Sequence, residues 1–270
     1  MSKHDPVSAP KHPAAGPDTI RELPPPAPLR PEEHAFFFDV DGTLVDYAAR
    51  PCEVRADEAL LSLLRTLKER TGGAVALVSG RSIASVDAVM HPEALPASGL
   101  HGFEQRDAAG SLHRHRAPVP EALARVRAAM QQLARRYAGL EVEDKDFALA
   151  LHFRGAPQLG ERVHAAVQGI PELEAGGLRI QRGHLVVEVA PAGVNKGSAL
   201  AHFMECAPFK GRRPVYAGDD LTDEPAFHWV NLAGGVSIAV RPRRQTAALT
   251  ALPSVAGVRA WLQLLLEESP

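Results

Sequence analysis

The order in which apolar segments follow one another is the feature that most constrains the fold of this chain. A short apolar run at 35–38, an amphipathic helical pattern at 56–70, a second apolar run at 74–78 and a helix capped by Ser82 occur in turn. This strand–helix–strand–helix order is typical of a parallel sheet. The same alternation of helices and strands returns after Lys196, with a helix to about 206, strands at 214–217 and 236–240, and a last helix at 258–267.

The middle of the chain has a different pattern. It predicts helices at 121–137 and 161–169, with strand pairs at 140–143 and 147–153 and at 178–181 and 185–189. An α-β-β-α-β-β order is that of an α+β module. We therefore expect an α/β fold with a Rossmann-like parallel-sheet core, built from 33–116 and 192–270, and an inserted α+β domain at 117–191.

Composition excludes several classes of partner and location. The formal net charge of −2 favours neither nucleic acid nor an anionic membrane as a partner. No segment reaches the ~18 consecutive apolar residues that suggest a membrane span. The two cysteines, Cys52 and Cys206, form no metal or redox motif and fit a reducing cytoplasm.

Proline dominates the first residues of the chain. Nine of the 23 prolines lie within 1–31. Such a composition buries too little surface to offset the entropy of ordering the chain. We expect residues 1–32 to form a disordered tail without a catalytic role.

Acidic residues follow two of the predicted strands. Asp39-Val40-Asp41-Gly42-Thr43 comes directly after the first strand, where residues two apart point the same way. Gly218 to Glu224 follows the strand at 214–217 and contains four acids in six residues. Ligands bind at the carboxyl ends of strands in open α/β sheets, and clustered carboxylates suit Mg²⁺. Turn formation and helix capping explain part of both motifs as well.

A hydroxyl and a cation stand at two further strand ends or helix starts. Ser79 ends the second strand, where a hydroxyl and backbone N–H groups can hold a phosphate, although a plain turn or cap is the default interpretation of a lone Ser-Gly pair. Lys196 begins a helix, where the helix dipole disfavours a cation, and such local conflicts are expected at functional sites. A solvated surface lysine is the alternative.

Together these four motifs resemble the signature motifs of the haloacid dehalogenase superfamily. The segments Val78–Arg81, His101-Gly102, Glu143–Lys145, Ala148–Arg154, Val187–Pro191, Asn195–Gly197 and Gly218–Glu224 further resemble the trehalose-6-phosphate phosphatase family, over roughly residues 35 to 266. The resemblance implies hydrolysis of trehalose 6-phosphate through an aspartyl-phosphate intermediate. It makes the inserted module a cap that closes over a small sugar phosphate substrate.

The resemblance also implies a role for each matched residue. Asp39 is the expected nucleophile and Asp41 the general acid and base, while Ser79 and Lys196 hold the phosphoryl oxygens. Asp39, the backbone carbonyl of Asp41 and Asp219 are the expected Mg²⁺ ligands. Support from Asp220 and Asp223 is expected. The implied substrate contacts are Thr43, Gly80, Arg81, Glu143, Lys145 and Glu188.

Other readings stay open at this point. The core motifs do not separate this activity from a phosphatase for another sugar phosphate, such as sucrose phosphate, or from a phosphomutase, because specificity lies in the cap. A non-catalytic sugar-phosphate sensor is a further alternative, but a sensor needs no nucleophile.

Overall fold

The computed structural model describes residues 22–48, 53–91, 94–114, 120–144, 148–183 and 185–267. Within these ranges the helices are α1 (Glu58–Arg70), α2 (Ile83–Met90), α3 (Pro120–Arg136), α4 (Gly160–Gln168), α5 (Glu172–Ala175), α6 (Lys196–Glu205), α7 (Glu224–Leu232) and α8 (Val255–Glu267). The strands are β1 (His34–Phe38), β2 (Val75–Val78), β3 (Ala97–Gly99), β4 (Glu104–Arg106), β5 (Leu112–Arg114), β6 (Glu141–Asp144), β7 (Leu149–His152), β8 (Leu178–Gly183), β9 (Val186–Pro191), β10 (Arg213–Gly218), β11 (Val236–Val240) and β12 (Thr250–Leu252).

The core is an eight-stranded sheet in the order β12-β11-β10-β1-β2-β3-β4-β5. The first six strands in this order pair in parallel, and β4 and β5 extend the sheet antiparallel. The α/β fold class expected from the sequence is therefore confirmed. Strand β1 lies in the interior of the sheet and is buried along its whole length, as its continuous apolar run predicts.

Side chains of β1 alternate between two apolar layers. Phe36 and Phe38 pack with α1, α2 and α8 on one face of the sheet. Phe37 packs with α6 and α7 on the other face. Helices on both faces leave the strand ends as the accessible edge of the sheet, where the acidic motifs lie.

Residues 120–191 form a second layer with its own core. Strands β6-β7-β9-β8 make an antiparallel sheet, and α3 and α4 cover one of its faces. The opposite face carries Glu143, Ala150, Glu188 and Gln181 in one row, because these positions are neighbours in the strand register. This cap sheet thus presents a polar row on the face that its helices leave open.

The sequence analysis missed four strands of the core sheet. β3, β4, β5 and β12 have only three residues each, and β4 and β5 are largely polar. Strands this short carry no measurable alternation, and their pairing is decided by the neighbours they meet.

The boundary of the predicted tail is wrong by about ten residues. The carbonyl of Pro24 accepts a hydrogen bond from Ala251 N at 2.9 Å, beside the edge strand β12. Leu23 and Leu29 pack against the two core layers. Proline lacks a donor but keeps its carbonyl, so a proline-rich segment can line a sheet edge. Residues 1–21 lie outside the described part of the chain.

Candidate active site

The carboxylate of Asp39 is buried at the carboxyl end of β1. Its backbone N–H bonds to Ala217 O at 2.9 Å, which joins it to the neighbouring strand β10. Lys196 Nζ donates to Asp39 Oδ1 at 2.7 Å and to Asp223 Oδ1 at 2.6 Å. The lysine at the start of α6 is therefore no surface residue, since only 2% of it is exposed.

Three donors converge on Asp223. Besides Lys196, it accepts the hydroxyl of Tyr216 at Oδ1 and the backbone N–H of Asp220 at Oδ2. Gly218 leaves room for this carboxyl group, because a Cβ at that position would lie 2.3 Å from the carboxyl carbon of Asp223. Asp223 thus orients the lysine ammonium towards Asp39.

Asp39, Asp219 and Asp223 form a tight carboxylate cluster. One oxygen from each lies within 4.8 Å of the others. Gly42 adopts a φ of +80°, and a Cβ there would lie 2.2 Å from Asp219 Oδ2, so the turn after Asp41 requires glycine. The hydroxyl of Tyr47 donates to both oxygens of Asp219, at 3.3 and 3.2 Å.

Burial and mutual repulsion dominate the electrostatics of this cluster. Burial raises the pKa of Asp39 well above its usual value; the Lys196 ammonium opposes this, and Asp223 and Asp219 reinforce it. Burial and the charge of Asp223 raise the pKa of Asp219 to about 7. Burial alone would lower the pKa of Lys196, but Asp223 and Asp39 outweigh it and raise that pKa. Three close carboxylates with one ammonium favour binding of a cation.

A divalent metal fits this donor set. The carboxylate oxygens of the cluster are the hard ligands that Mg²⁺ prefers, and the absence of a Cβ at Gly42 leaves room for the Asp219 carboxylate in the cluster. Asp223, expected only as a supporting residue, lies in this cluster itself. Asp220 lines the cleft beside it, and its carboxylate pairs with Arg244 at 3.2 Å.

Asp41 is held by an arginine. Arg81 donates Nε and a terminal nitrogen to the two carboxylate oxygens of Asp41, both at 2.6 Å. The sequence analysis expected Asp41 to act as general acid and base and Arg81 to contact the substrate; the structure shows that the two side chains pair with each other. Both lie at neighbouring strand ends, β1 and β2, which brings opposite charges together.

The remaining core residues of the prediction surround the same place. Ser79 is buried, and its Oγ accepts the backbone N–H of Arg81 at 3.1 Å. Ser79 and Gly80 both line the cleft. The hydroxyl of Thr43 is buried and has no hydrogen-bond partner among the described residues.

A cleft of about 340 Å³ lies between these core residues and the cap sheet. Glu143 and Glu188 line it from the cap, together with His152 and Arg154. Glu143 bonds to His152 at 2.8 Å across the strand pair β6–β7. Lys145 lies outside the described residues.

His101 joins the core to the cap and was not predicted as a site residue. Its Nε2 lies 2.5 Å from Glu188 Oε2, and its Nδ1 lies 3.4 Å from Gln181 Nε2. Its backbone N–H donates to Ser79 O, and its φ is +56°. A Cβ on Gly80 would lie 2.7 Å from the imidazole ring. The His-Gly pair in the sequence was the available signal, but nothing in it shows the contact with the cap.

Comparison with known proteins identifies the family. Residues 37–255 match the family model described as trehalose-phosphatase. The Escherichia coli (strain K12) protein named trehalose-6-phosphate phosphatase is 39% identical over 234 residues, which cover 86% of each chain. This chain belongs to the trehalose-phosphatase family. It is a phosphoric monoester hydrolase, as the sequence motifs predicted.

Further relatives agree with this trehalose-phosphatase assignment. A Sinorhizobium fredii (strain NBRC 101917 / NGR234) protein named probable trehalose-phosphate phosphatase is 38% identical over 232 residues, which cover 86% of this chain and 87% of that one. The C-terminal domain of C. albicans trehalose-6-phosphate phosphatase superimposes with a TM-score of 0.80 at 22% identity, over 91% of this chain and 98% of that one. The latter likeness supports the fold, a parallel-sheet α/β core with a second antiparallel sheet. No helix in the described ranges is long and apolar enough to cross a membrane.

Proposed function

We propose that this chain hydrolyses trehalose 6-phosphate to trehalose and inorganic phosphate in a Mg²⁺-dependent reaction, with Asp39 as the nucleophile. The observation that carries the proposal is the buried Asp39 carboxylate beside Lys196, on the core side of the cleft that the cap sheet faces. The names of the E. coli and S. fredii relatives support the choice of substrate.

Asp39 attacks phosphorus and the bond from phosphorus to the sugar oxygen breaks, which leaves an aspartyl-phosphate. Water then attacks this intermediate and releases phosphate. Lys196, held by Asp223, offsets the charge of the transferring phosphoryl group, and Ser79 and the adjacent backbone bind its oxygens.

The carboxylates of Asp39 and Asp219 and the backbone carbonyl of Asp41 would hold the metal, with Asp220 and Asp223 supporting them. When bound, Mg²⁺ supplies positive charge that offsets the carboxylates and the phosphoryl oxygens. Asp223 also holds Lys196 in place, because the lysine ammonium and the Tyr216 hydroxyl both donate to it.

Asp41 acts as general acid and then as general base. It gives a proton to the departing sugar oxygen and takes one from the attacking water. The substrate phosphate competes for the guanidinium of Arg81, because arginine pairs as well with phosphate as with carboxylate. Substrate binding would therefore release Asp41 for proton transfer, which reconciles the Asp41–Arg81 ion pair with both expected roles.

The cap selects the sugar. Glu143 and Glu188 stand in one row on the open face of the cap sheet and line the cleft, where carboxylates can accept hydrogen bonds from sugar hydroxyls. His101 holds Glu188 from the core side. Lys145 stays an expected contact.

The test is phosphate release from a panel of sugar phosphates. The panel contains trehalose 6-phosphate, sucrose 6-phosphate, glucose 6-phosphate and mannosyl phosphates, each with Mg²⁺ and with excess chelator. We expect the highest kcat/KM for trehalose 6-phosphate and loss of activity in chelator that added Mg²⁺ restores. Equal turnover of all sugars, or full activity in chelator, would contradict the proposal.

A further inference from the structure

A second cleft, of about 400 Å³, lies beside the catalytic cleft and is lined by several arginines. We call it the basic cleft; its arginines are Arg154, Arg241, Arg243 and Arg244. Tyr47, Arg154 and Asp220 line both clefts, and the Tyr47 hydroxyl donates to Asp219, which also lines the basic cleft. The basic cleft therefore adjoins the catalytic cleft at these residues, while Ser79 and Lys196 line the catalytic cleft and not the basic cleft.

The basic cleft combines residues from both layers of the molecule. Arg154 follows strand β7 of the cap sheet. The other three arginines follow β11 at the carboxyl end of the core sheet. The backbone of Arg241 is tied down, because its N–H donates to Leu252 O at 2.8 Å and Pro242 follows it. A rigid turn thus carries these arginines to one side of the cleft.

Three of these arginines have no anionic partner within the part of the chain that the structure describes. Arg244 pairs with Asp220 at 3.2 Å. Arg154, Arg241 and Arg243 make no side-chain hydrogen bond or ion pair with any described residue. Three aspartates also line the cleft: Asp220 pairs with Arg244, Asp219 accepts the Tyr47 hydroxyl and Asp46 is exposed, so four guanidinium groups share the cleft with three carboxylates. Guanidinium groups that share one cavity repel each other unless an anion lies between them.

We propose that the basic cleft is a second oxyanion site that binds inorganic phosphate. The planar guanidinium group donates two parallel hydrogen bonds to phosphate. Several arginines in one cleft match the two negative charges of a phosphate dianion better than the single charge of a carboxylate. Arg154 belongs to the cap, whereas Arg241 and Arg243 belong to the core. A phosphate bound in the basic cleft would therefore contact both the cap and the core. This site goes beyond the proposed hydrolysis, since it requires no substrate turnover.

The experiment counts bound phosphate by equilibrium dialysis of the full chain with labelled inorganic phosphate at constant ionic strength. We expect the wild-type chain to bind one phosphate more than the double variant Arg241→Asn with Arg243→Gln. Asparagine tolerates the left-handed backbone of Arg241, whose φ is +49°. The single variant Arg243→Gln, at an exposed position, should raise the Kd of this phosphate about tenfold or more, as expected for loss of a charged hydrogen bond.

The matched control is Arg135→Gln, which removes the same charge from an exposed position on α3 that lines neither cleft. Equal phosphate binding by the wild type and the double variant would overturn the proposal. So would an equal loss of affinity in Arg135→Gln and Arg243→Gln, which would indicate a general effect of net charge. Failure of trehalose 6-phosphate hydrolysis with an intact difference in phosphate binding would contradict the proposed substrate alone.

Discussion

At the scale of residues, the two leading aspartates occupy different environments although they are two positions apart. Asp39 is buried and contacts Lys196, whereas Asp41 is partly exposed and pairs with Arg81. In the proposed reaction, Lys196 and a bound cation would keep Asp39 ionised for attack, whereas Asp41 would exchange a proton after leaving Arg81. This difference separates the two roles. It also makes their variants distinguishable.

Asp39→Asn should abolish turnover of every substrate, because no phospho-enzyme can form. Asp41→Asn should slow sugar phosphate turnover by 100-fold or more, about the contribution of a general acid. With p-nitrophenyl phosphate, whose leaving group needs no proton, Asp41→Asn should accumulate phosphate on Asp39 because no base activates water. The measurement is intact-protein mass after quenching, with peptide mapping. A phosphorylated residue other than Asp39, or near-normal sugar phosphate turnover by Asp41→Asn, would contradict the assignment.

The raised pKa of Asp219 predicts how stability depends on pH in chelator. Burial and the charge of Asp223 raise the pKa of Asp219 to about 7 in the folded chain, above the ordinary aspartate value of about 3.9. The folded state therefore binds more protons than the unfolded state between these values, and the free energy of unfolding should fall as the pH rises from about 4 to 7. Asp39, whose pKa is also raised, adds to this slope.

Asp219→Asn should reduce this slope and unfold at higher urea concentration than the wild type at pH 8 in chelator. Urea unfolding at several pH values measures both. The matched variant Asp46→Asn, an exposed carboxylate outside the cluster, should keep the wild-type slope. Asp219→Asn that unfolds at lower urea than the wild type at pH 8 would contradict the repulsion described for the cluster.

At the scale of elements, the cap sheet and the loop after β3 are joined through His101. The imidazole contacts Glu188 in the polar row of the cap, and the backbone N–H of His101 donates to Ser79 O. In His101→Asn, the asparagine tolerates the left-handed backbone of position 101, but its side chain is too short to reach Glu188. We expect a fivefold or larger rise in KM for the sugar phosphate, from loss of about 1 kcal/mol of hydrogen bonding.

Turnover of p-nitrophenyl phosphate should change little in His101→Asn, because this substrate has no sugar for the cap to bind. Steady-state kinetics with the two substrates separate the outcomes. The control is His113→Asn, which removes a histidine–carboxylate pair with Asp107 at the sheet edge. Equal losses on both substrates would show that His101 supports the fold and does not position the sugar contact.

At the scale of the whole molecule, the segment before β1 belongs to the core. Deleting residues 1–30 removes the contacts of Leu23 and Leu29 and the hydrogen bond from Ala251 to Pro24. We expect a loss of about 2–4 kcal/mol in unfolding free energy from two partly buried leucines. Activity at moderate temperature should be retained, since these contacts lie outside the catalytic cleft.

Deletion of residues 1–21 alone serves as the comparison. The proline-rich composition of residues 1–21 predicts that their loss changes stability and activity little. Urea unfolding and phosphate release of both deletions supply the measurement. Equal stability of the two would show that the packing of 22–30 contributes nothing.

The sequence by itself determined the α/β core, the order of its long strands and the residues at their carboxyl ends. Uninterrupted apolar runs and periodicity over five or more residues indicate which side chains are buried. The bounds predicted for β1, β11 and α1 are therefore close to the observed ones. The motif residues Asp39, Ser79 and Asp219 follow parallel strands that end at one edge, and the start of α6 places Lys196 against Asp39.

Only the tertiary structure decided which groups pair. The Asp41–Arg81 and His101–Glu188 contacts join residues 40 and 87 positions apart, and no local pattern encodes such a distance. The pairing of the short strands β3, β4, β5 and β12 and the docking of residues 22–30 depend likewise on the surfaces they meet. Local sequence specifies conformation where burial is periodic, whereas partners far apart in sequence are chosen by the packing of the whole molecule.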